Sequence, residues 1–332
     1  MPGVRARAAA LLVVAVVALC GCVLLSLFVG SRGIGPRAVV EAFTAYDGST
    51  AHLVVREIRL PRTLLGVVVG AGLAVAGALM QGLTRNPLAS PSVLGVSSGA
   101  AFAVVLAIYL LGIDSPLGYV WFAVLGALTC AVGVHVIAGR AQAGPVRLAL
   151  SGAVLSTMLS SWSYTLMALN KRTADEARFW LAGSLAGRPL DVVYVITPFL
   201  AVGVVLALAL IRPLNALALG DEAAVSLGVR PARARVLGGA AVVLLAGGAV
   251  AGAGPIAFVG LAVPHLVRLV TGPDHRWLVP GCLLAGPVLL LAADMAGRVV
   301  MAPLELEVGI VTAFLGAPAL FLLARYAKVV SR

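Results

Sequence analysis

Residues Glu57 to Gly99 read EIRLPRTLLGVVVGAGLAVAGALMQGLTRNPLASPSVLGVSSG, and this stretch decides the fold. Arg59 and Arg62 bracket Pro61, and Leu64 to Gln81 then runs without a charge. An uncharged apolar run of this length reads as a membrane-spanning helix, because about 20 residues cover a hydrocarbon core ~30 Å thick. Pro61 suits the first turn of that helix, where its missing N–H costs nothing. Arg85-Asn86-Pro87 ends the run, and a second apolar run begins near Val93. Arginines at a helix N-terminus oppose the helix dipole. Two explanations for Arg59 and Arg62 stand side by side: interfacial anchors that snorkel, or a docking point for an acidic partner outside the membrane.

The rest of the chain extends this pattern. Its 332 residues are 61% hydrophobic and 11% charged, with mean hydropathy +1.08. Soluble domains are about 45–50% apolar and about 25% charged, so a polytopic membrane protein is expected, all-α, as a single transmembrane domain over residues 1–332. The 38 glycines include pairs four apart, Gly66/Gly70, Gly95/Gly99, Gly183/Gly187 and Gly248/Gly252, a spacing that lets helix backbones approach closely. Cys20, Cys22, Cys130 and Cys282 fall in apolar runs and read as small buried residues. The four histidines have no partner at metal-ligand spacing, so no metal site is expected. No phosphate-loop motif is present, and neither Lys171 nor Lys328 follows a glycine, so this chain does not bind ATP by that route.

Ten spans follow from hydropathy, near 8–29, 63–82, 93–111, 119–138, 147–168, 191–211, 236–253, 256–270, 278–300 and 307–324. The first is read as retained rather than as a cleaved signal, because its apolar run continues past Cys22 to Val29. Residues 30–60 read as a polar external segment, and 169–190 as another that holds a short surface helix with Trp180 at the interface. The run at 256–270 is short for a full crossing. Placing both termini in the cytoplasm puts more of the 24 Lys and Arg on the inner side, as the positive-inside rule asks. The basic pI near 10.4 is then a topology signal, with membrane lipid as the surroundings and no nucleic acid implied.

Three further segments carry chemistry. The largest inner loop, Arg212 to Arg235, holds a short helix with Asp221 and Glu222 at its start and Gly228 as its end cap. Ala223, Ala224 and Leu227 form its small apolar face, which packs either on the protein's own inner surface or into a partner subunit. Asn86 and Pro87 lie on the same side, as a helix cap or as the constriction at the mouth of a central path. Asp294 and Arg298 are one turn apart near the outer end of the ninth span, at the i, i+4 spacing of an ion pair. Arg298 either pairs with Asp294 or faces outward beside Arg59 and Arg62. His265, in VPHLVR, reads as structural, while His135 lies within the fourth span.

Five stretches together resemble one family. They are IRLPRTL (58–64), GALMQGLTRNPLASPSVLGVSSGA (77–100), LNALALGDEAAVSLGV (214–229), GPIAFVGLAVPHLVRLVTGPDHR (254–276), and ADMAGR with GIVTAFLGAPAL (293–298 and 309–320). In order and spacing they are similar to the permease subunits of FecCD-type bacterial ABC importers, which take up ferric siderophores, haem or vitamin B12. The resemblance implies a vitamin B12 permease-like type II importer fold of ten spans in the bacterial plasma membrane. It also implies a second permease subunit, identical or paralogous, around one path. Two cytosolic ATP-binding cassette subunits would sit below, and an extracytoplasmic substrate-binding protein would dock above through acidic residues.

On this resemblance Arg59, Arg62 and Arg298 receive the binding protein, and Asn86, with Pro87, lines the cytoplasmic gate. The helix from Gly220 to Gly228, with Asp221, Glu222, Ala223 and Leu227, couples to the ATPase. No catalytic residue and no cofactor is expected in this chain, ATP and Mg being held by the partner. Ferric siderophores are the expected cargo, with haem or cobalamin as alternatives. A different class, an ion-gradient-driven transporter, would place ionisable groups near the membrane midplane. The long spans are nearly bare of charge, which leaves His135 and Asp294 as that class's candidates.

Overall fold

A computed structural model describes residues 2–30, 33–139 and 145–318. Residues 319–324 of the tenth expected span lie outside the described residues, as do Arg140, Arg325, Lys328 and Arg332. Every regular element among the described residues is helical.

Each of the ten expected spans falls on a helix. The order begins with α1 (Pro2–Phe28), α2 (Pro36–Thr44) and α3 (Thr50–Leu53), which runs through a π-helical turn (Val54–Arg59) into α4 (Leu60–Thr84). A 3-10 turn (Pro91–Leu94) leads into α5 (Val96–Leu111), followed by α6 (Pro116–Ile137), α7 (Pro145–Leu169), α8 (Lys171–Leu181) and α9 (Leu190–Ala209). Two short helices, α10 (Ile211–Ala218) and α11 (Asp221–Ser226), precede α12 (Pro231–Ala253), α13 (Val259–Thr271), α14 (His275–Val300) and α15 (Val308–Pro318). Among the described residues, six helices are long and apolar enough to cross a membrane. Along α7, the hydroxyls of Thr157, Ser161, Ser163 and Thr165 each donate to the carbonyl four residues back, so these four side chains are satisfied within the helix.

The bundle is built around α4, which packs against α14, α12, α13 and α9. Its glycines set those distances. A Cβ on Gly70 would lie 2.8 Å from the backbone of Gly286 in α14, and one on Gly77 would collide with the Gly260 carbonyl of α13. Gly99 of α5 meets Gly126 of α6 in the same way. Gly183 and Gly187 follow α8 in the left-handed region, at φ 72° and 66°, and serve a turn, as Gly95 at φ 68° does at the start of α5.

Two expected features are corrected at one end of the bundle. The polar segment 30–60 is partly helical, and α4 does not start at Pro61. The helix begins at Thr50, capped by the Ser49 hydroxyl, and the π-helical turn ahead of Pro61 carries the Leu60 N–H back to the Val55 carbonyl. That wider turn accommodates a ring that clashes with a regular helix four residues back. Trp180 is only 2% exposed and faces the core, while its neighbour Phe179 is the exposed aromatic. Cys130 and Cys282 are buried, whereas Cys20 is exposed on α1.

α13 and α5 do not run the depth of their neighbours. At a rise of about 1.5 Å per residue, 13 residues cover only about 20 Å. α13 starts beside the middle of α4, where Gly260 meets Leu73 and Gly77. The 3-10 turn before α5 arrives at the same level, with Pro91 in van der Waals reach of Gly260. Non-helical backbone therefore enters the bundle from both ends; Pro91 and Ile256 are buried there, while Ser92 and Ala257 are exposed.

Candidate functional site

At the end where α1 and α14 finish and α4 begins, the three arginines singled out by sequence come together. Asp294, fully buried in α14, accepts from Arg62 Nε at 3.0 Å and Nη2 at 2.8 Å, and from Arg298 Nε at 2.9 Å. Arg62 Nη1 reaches across to Glu305, on the loop after α14. Arg59 Nη1 donates to the Leu27 and Phe28 carbonyls at 2.8 Å, and Arg298 Nη1 to those of Ser26 and Val29. These four carbonyls are the open end of α1, where cations are favourable. Gly30 makes the arrangement possible, because a Cβ there would lie 2.6 Å from Arg59 Nη2. The Ser26 and Thr63 hydroxyls complete the network at 2.8 Å.

Arg298 pairs with Asp294 and is 1% exposed. Arg59 and Arg62 are also buried, at 4% and 6%. What opens to the surface is a cavity of 330 Å³ lined by all three arginines, Gly30, Val54, Ile58 and Glu305.

The opposite end of α4 carries the second group. Arg85 ends the helix in the left-handed region at φ 52°. Asn86 does not cap α4. Its side chain turns forward and accepts from the Leu88 N–H at 2.9 Å, which sets the chain's path past Pro87. Both residues are exposed. Beside them lies α11, bounded by Gly220 at φ 113° and Gly228 at φ 79°. Its C-terminus closes with the Val229 N–H on the Ala224 carbonyl and the Gly228 N–H on that of Val225, the paired bonds of a Schellman cap. The expected apolar face is split: Ala224 is buried against the bundle, while Leu227 is 63% exposed. Glu222 is exposed and Ala223 half-buried.

Asp221 is the anchor of this short helix. It accepts from Arg235 at 2.7 and 2.9 Å and from Arg85. The Arg235 guanidinium, with Arg85 beside it, holds the Asp221 carboxyl below the usual range. A second tie joins α10 to α14, with Asn215 Nδ2 donating to Asp274 at 2.6 Å while its oxygen accepts the His275 N–H at 3.0 Å. Sequence reasoning assigned no role to Arg85, Arg235, Asn215, Asp274 or Glu305. Nothing in a linear motif pairs Arg85 with an acid 136 positions away.

Between the two ends lies a cavity of 420 Å³ at the level where α5 and α13 start. Ser90, Pro91, Ser92 and Ser97 line one side, and Pro255, Ala257, Phe258 and Gly260 the other. Among the described residues, no ionisable side chain lines it. His135 is half-buried near the end of α6 and lies outside this lining.

A model of the FecCD transport family matches residues 10–326. This chain belongs to the FecCD transport family. Among FecCD-related proteins, it is 45% identical over 304 residues to the ferric enterobactin transport system permease FepD of Escherichia coli (strain K12), covering 91% of this chain and 90% of that one. It is 43% identical over 281 residues to the cobalamin import system permease BtuC of Halobacterium salinarum (strain ATCC 700922 / JCM 11081 / NRC-1), covering 84% and 75%. A solved metal-chelate type ABC transporter in an inward-facing conformation superposes with a TM-score of 0.84 at 30% identity, over 95% of this chain and 98% of that one. The chain is therefore a multi-pass membrane permease of the FecCD ABC transporter type, and the helical bundle is that of its relatives.

Proposed function

We propose that this chain is the permease subunit of an importer that carries a ferric siderophore into the cytoplasm, driven by ATP hydrolysis in separate partner subunits. The observation that carries this reading is the mooring of α11. A short helix with exposed Val225 and Leu227 is held by Asp221 to Arg85, at the end of the bundle's central helix. Such a helix gives a partner subunit a handle on the core. Motion of α11 reaches α4 through Arg85 and α14 through the Asn215–Asp274 tie, and α4 and α14 are locked together by Gly70 and Gly286. The exposed Asn86–Pro87 turn continues from Arg85 and acts as the gate that this motion opens. The other ends of α4 and α14 meet in the arginine cluster, where the binding protein docks.

On this reading both termini are cytoplasmic, two ATPase subunits sit under two permease subunits, and the arginine end faces outward. The uncharged central cavity suits a cargo that is handed over and passed on rather than held. Siderophore is favoured over cobalamin because FepD and the Fe(3+)-citrate permeases YfmD and FecD are among the similar proteins.

Proteoliposomes containing this chain, its ATPase and a candidate binding protein test the reading. Labelled ferric siderophore, haem and cobalamin are offered in turn, with and without internal ATP. ATP-dependent accumulation of ferric siderophore is expected. Accumulation driven by a proton gradient without ATP would overturn it, and accumulation of cobalamin or haem alone would replace the cargo.

A further inference from the structure

Two residues past Glu305, Glu307 lines a different cavity, of 290 Å³. The start of α6 gives it Tyr119, α8 gives Glu176, Phe179 and Trp180, and the loop before α9 gives Arg188. Three of these residues bring buried polar atoms that have no hydrogen-bond partner among the described residues: Trp180 Nε1, Arg188 Nε and Glu176 Oε2. Trp180 is almost fully buried, so its N–H has no access to bulk water. Glu176 Oε1 accepts from Arg172 Nε at 2.8 Å, which leaves its second oxygen unused. Burial, only partly offset by Tyr119 and Glu307, pulls the Arg188 guanidinium below the usual arginine range. An unmade bond at a buried donor or acceptor is costly, and three around one cavity mark a place built for a guest.

The lining selects the kind of guest. Two N–H donors call for an acceptor, and one carboxylate oxygen calls for a donor. Charges of both signs line the cavity, so a guest with a single charge meets a like charge whatever its sign. An anion would face Glu176 and Glu307, and a cation would face Arg188. A neutral group that both accepts and donates, as an amide does, meets neither objection. The rings of Tyr119, Phe179 and Trp180 line the same cavity and suit a flat organic group better than separate waters.

We propose that this cavity is a binding site for an amide-bearing arm of the cargo, the amide carbonyl accepting from Trp180 Nε1 and Arg188 Nε and its N–H donating to Glu176 Oε2. The identity of the guest as cargo rests on the importer reading; the amide chemistry does not. The volume of 290 Å³ lies near the lower end of the roughly 300–1,000 Å³ of ligand pockets, which leaves room for one arm of a chelate and not for the whole. The position suits an entry point. Trp180 and Ser184 line this cavity, while Leu181, between them, lines the 420 Å³ central one. The Ser184 N–H is bonded to the Ala253 carbonyl at the end of α12, at 2.8 Å. An arm held here lies against the segment that walls the path, so a chelate is sorted by its arms before it enters a path without charges.

Trp121, Trp162, Trp180 and Trp277 are the four tryptophans of the chain. Labelled with 5-fluorotryptophan in nanodiscs with its ATPase, the permease gives one fluorine NMR signal for each, and Trp180→Phe assigns the signal at the cavity. N-methylacetamide should shift that signal saturably, while acetate, methylammonium and glycine leave it in place. Glu176→Gln and Arg188→Gln should each weaken the binding of N-methylacetamide about tenfold. They act on opposite sides of the guest, and either one serves if the other fails to fold. A Trp180 signal that the amide does not move, an equal shift with a charged probe, or unchanged affinity in these variants would overturn the amide site.

Uptake by the reconstituted importer separates the sources of the amide. A ferric siderophore with amides in its arms is compared with ferric citrate, which has none. If the cargo supplies the amide, uptake of the siderophore at limiting concentration falls about tenfold in Glu176→Gln, and uptake of ferric citrate is unchanged. Equal losses for both chelates would mean that an amide of the binding protein fills the cavity, and the cargo assignment falls. No loss for either overturns that assignment as well. If the wild type accumulates neither chelate with ATP while N-methylacetamide still binds, the importer reading fails and the amide site stands.

Discussion

The two ends of α4 both carry arginine–carboxylate pairs, yet they are built on opposite plans. At the Arg62 end, Asp294 is 0% exposed, and the arginine donors are shared between its carboxylate and the carbonyls that close α1. At the Arg85 end, Asp221 and both of its arginines are a third or more exposed. A buried network of this kind holds three helices in one register and cannot be rearranged cheaply. A solvent-exposed pair is worth little by itself and can be broken and remade. The difference gives one end a buried network and the other a solvent-exposed one, which fits the roles proposed for them, docking at the first and coupling at the second.

The largest effect belongs to the rigid end. Asp294→Ala leaves Arg62 and Arg298 buried without their shared carboxylate and should cost roughly 3–5 kcal/mol. The expected result is a steep fall in folded yield and in the thermal midpoint of the purified protein. Wild-type stability in this variant would break the contrast between the two ends.

Next in size is the close approach of α4 and α13 at mid-depth. Gly77→Ala places a methyl on the Gly260 carbonyl, so α4 and α13 must separate, at a cost of about 1–3 kcal/mol. Gly239→Ala, on α12 with nothing within 4 Å of the added methyl, is the matched control and should be neutral or slightly stabilising. Equal thermal shifts in the two variants would show that the close approach is not what holds α13 at mid-depth.

These positions also show where the sequence could be read and where it could not. The spans were legible because hydropathy is local: eighteen uncharged residues from Leu64 to Gln81 can do little else in a chain this apolar. The identities of Arg59, Arg62, Arg298 and Asp221 were legible through motif resemblance. Their environments were not. Whether an arginine at a helix entry snorkels, docks or is buried depends on what the ends of α1 and α14 offer it, 32 and 232 positions away in sequence for Arg59–Leu27 and Arg62–Asp294. Pro61 misled for the same reason, since a proline that suits a first helical turn also fits behind a π-helical one. Trp180, an aromatic in a charged stretch, is drawn inward because α8 lies flat on the bundle and turns that face to it. Glu305 carried no signal, being one acid in a loop whose partner is fixed only by tertiary structure.

At the Arg85 end the effects on stability should be small and the effects on the proposed coupling large. A double-mutant cycle with Arg85→Ala and Asp221→Asn should give an interaction energy in stability of about 0.2–1 kcal/mol, as for other exposed pairs. ATP hydrolysis stimulated by the binding protein should nonetheless fall in each single variant, with no further fall in the double. Independent, additive losses in stimulated hydrolysis would mean that the two residues do not act through their contact.

The smallest effect on stability is expected at Leu227. With 63% of its surface exposed it contributes little packing, and Leu227→Asp should leave the thermal midpoint within about 0.5 kcal/mol of wild type. Only three residues away, Ala224 is fully buried, so Ala224→Asp should unfold the local structure and supplies the contrast. If the exposed side of α11 seats in an ATPase subunit, Leu227→Asp places a charge in that interface, and the ATPase should no longer copurify with an otherwise intact permease. The pairing of these two variants matters because loss of the ATPase could arise trivially from a disordered helix. Retained stability with a lost partner locates the partner's contact on the outward side of α11. Retained stability with normal ATP-driven uptake would mean that the moored helix is held against the bundle for some other purpose, and the motion attributed to Arg85 would then have no source.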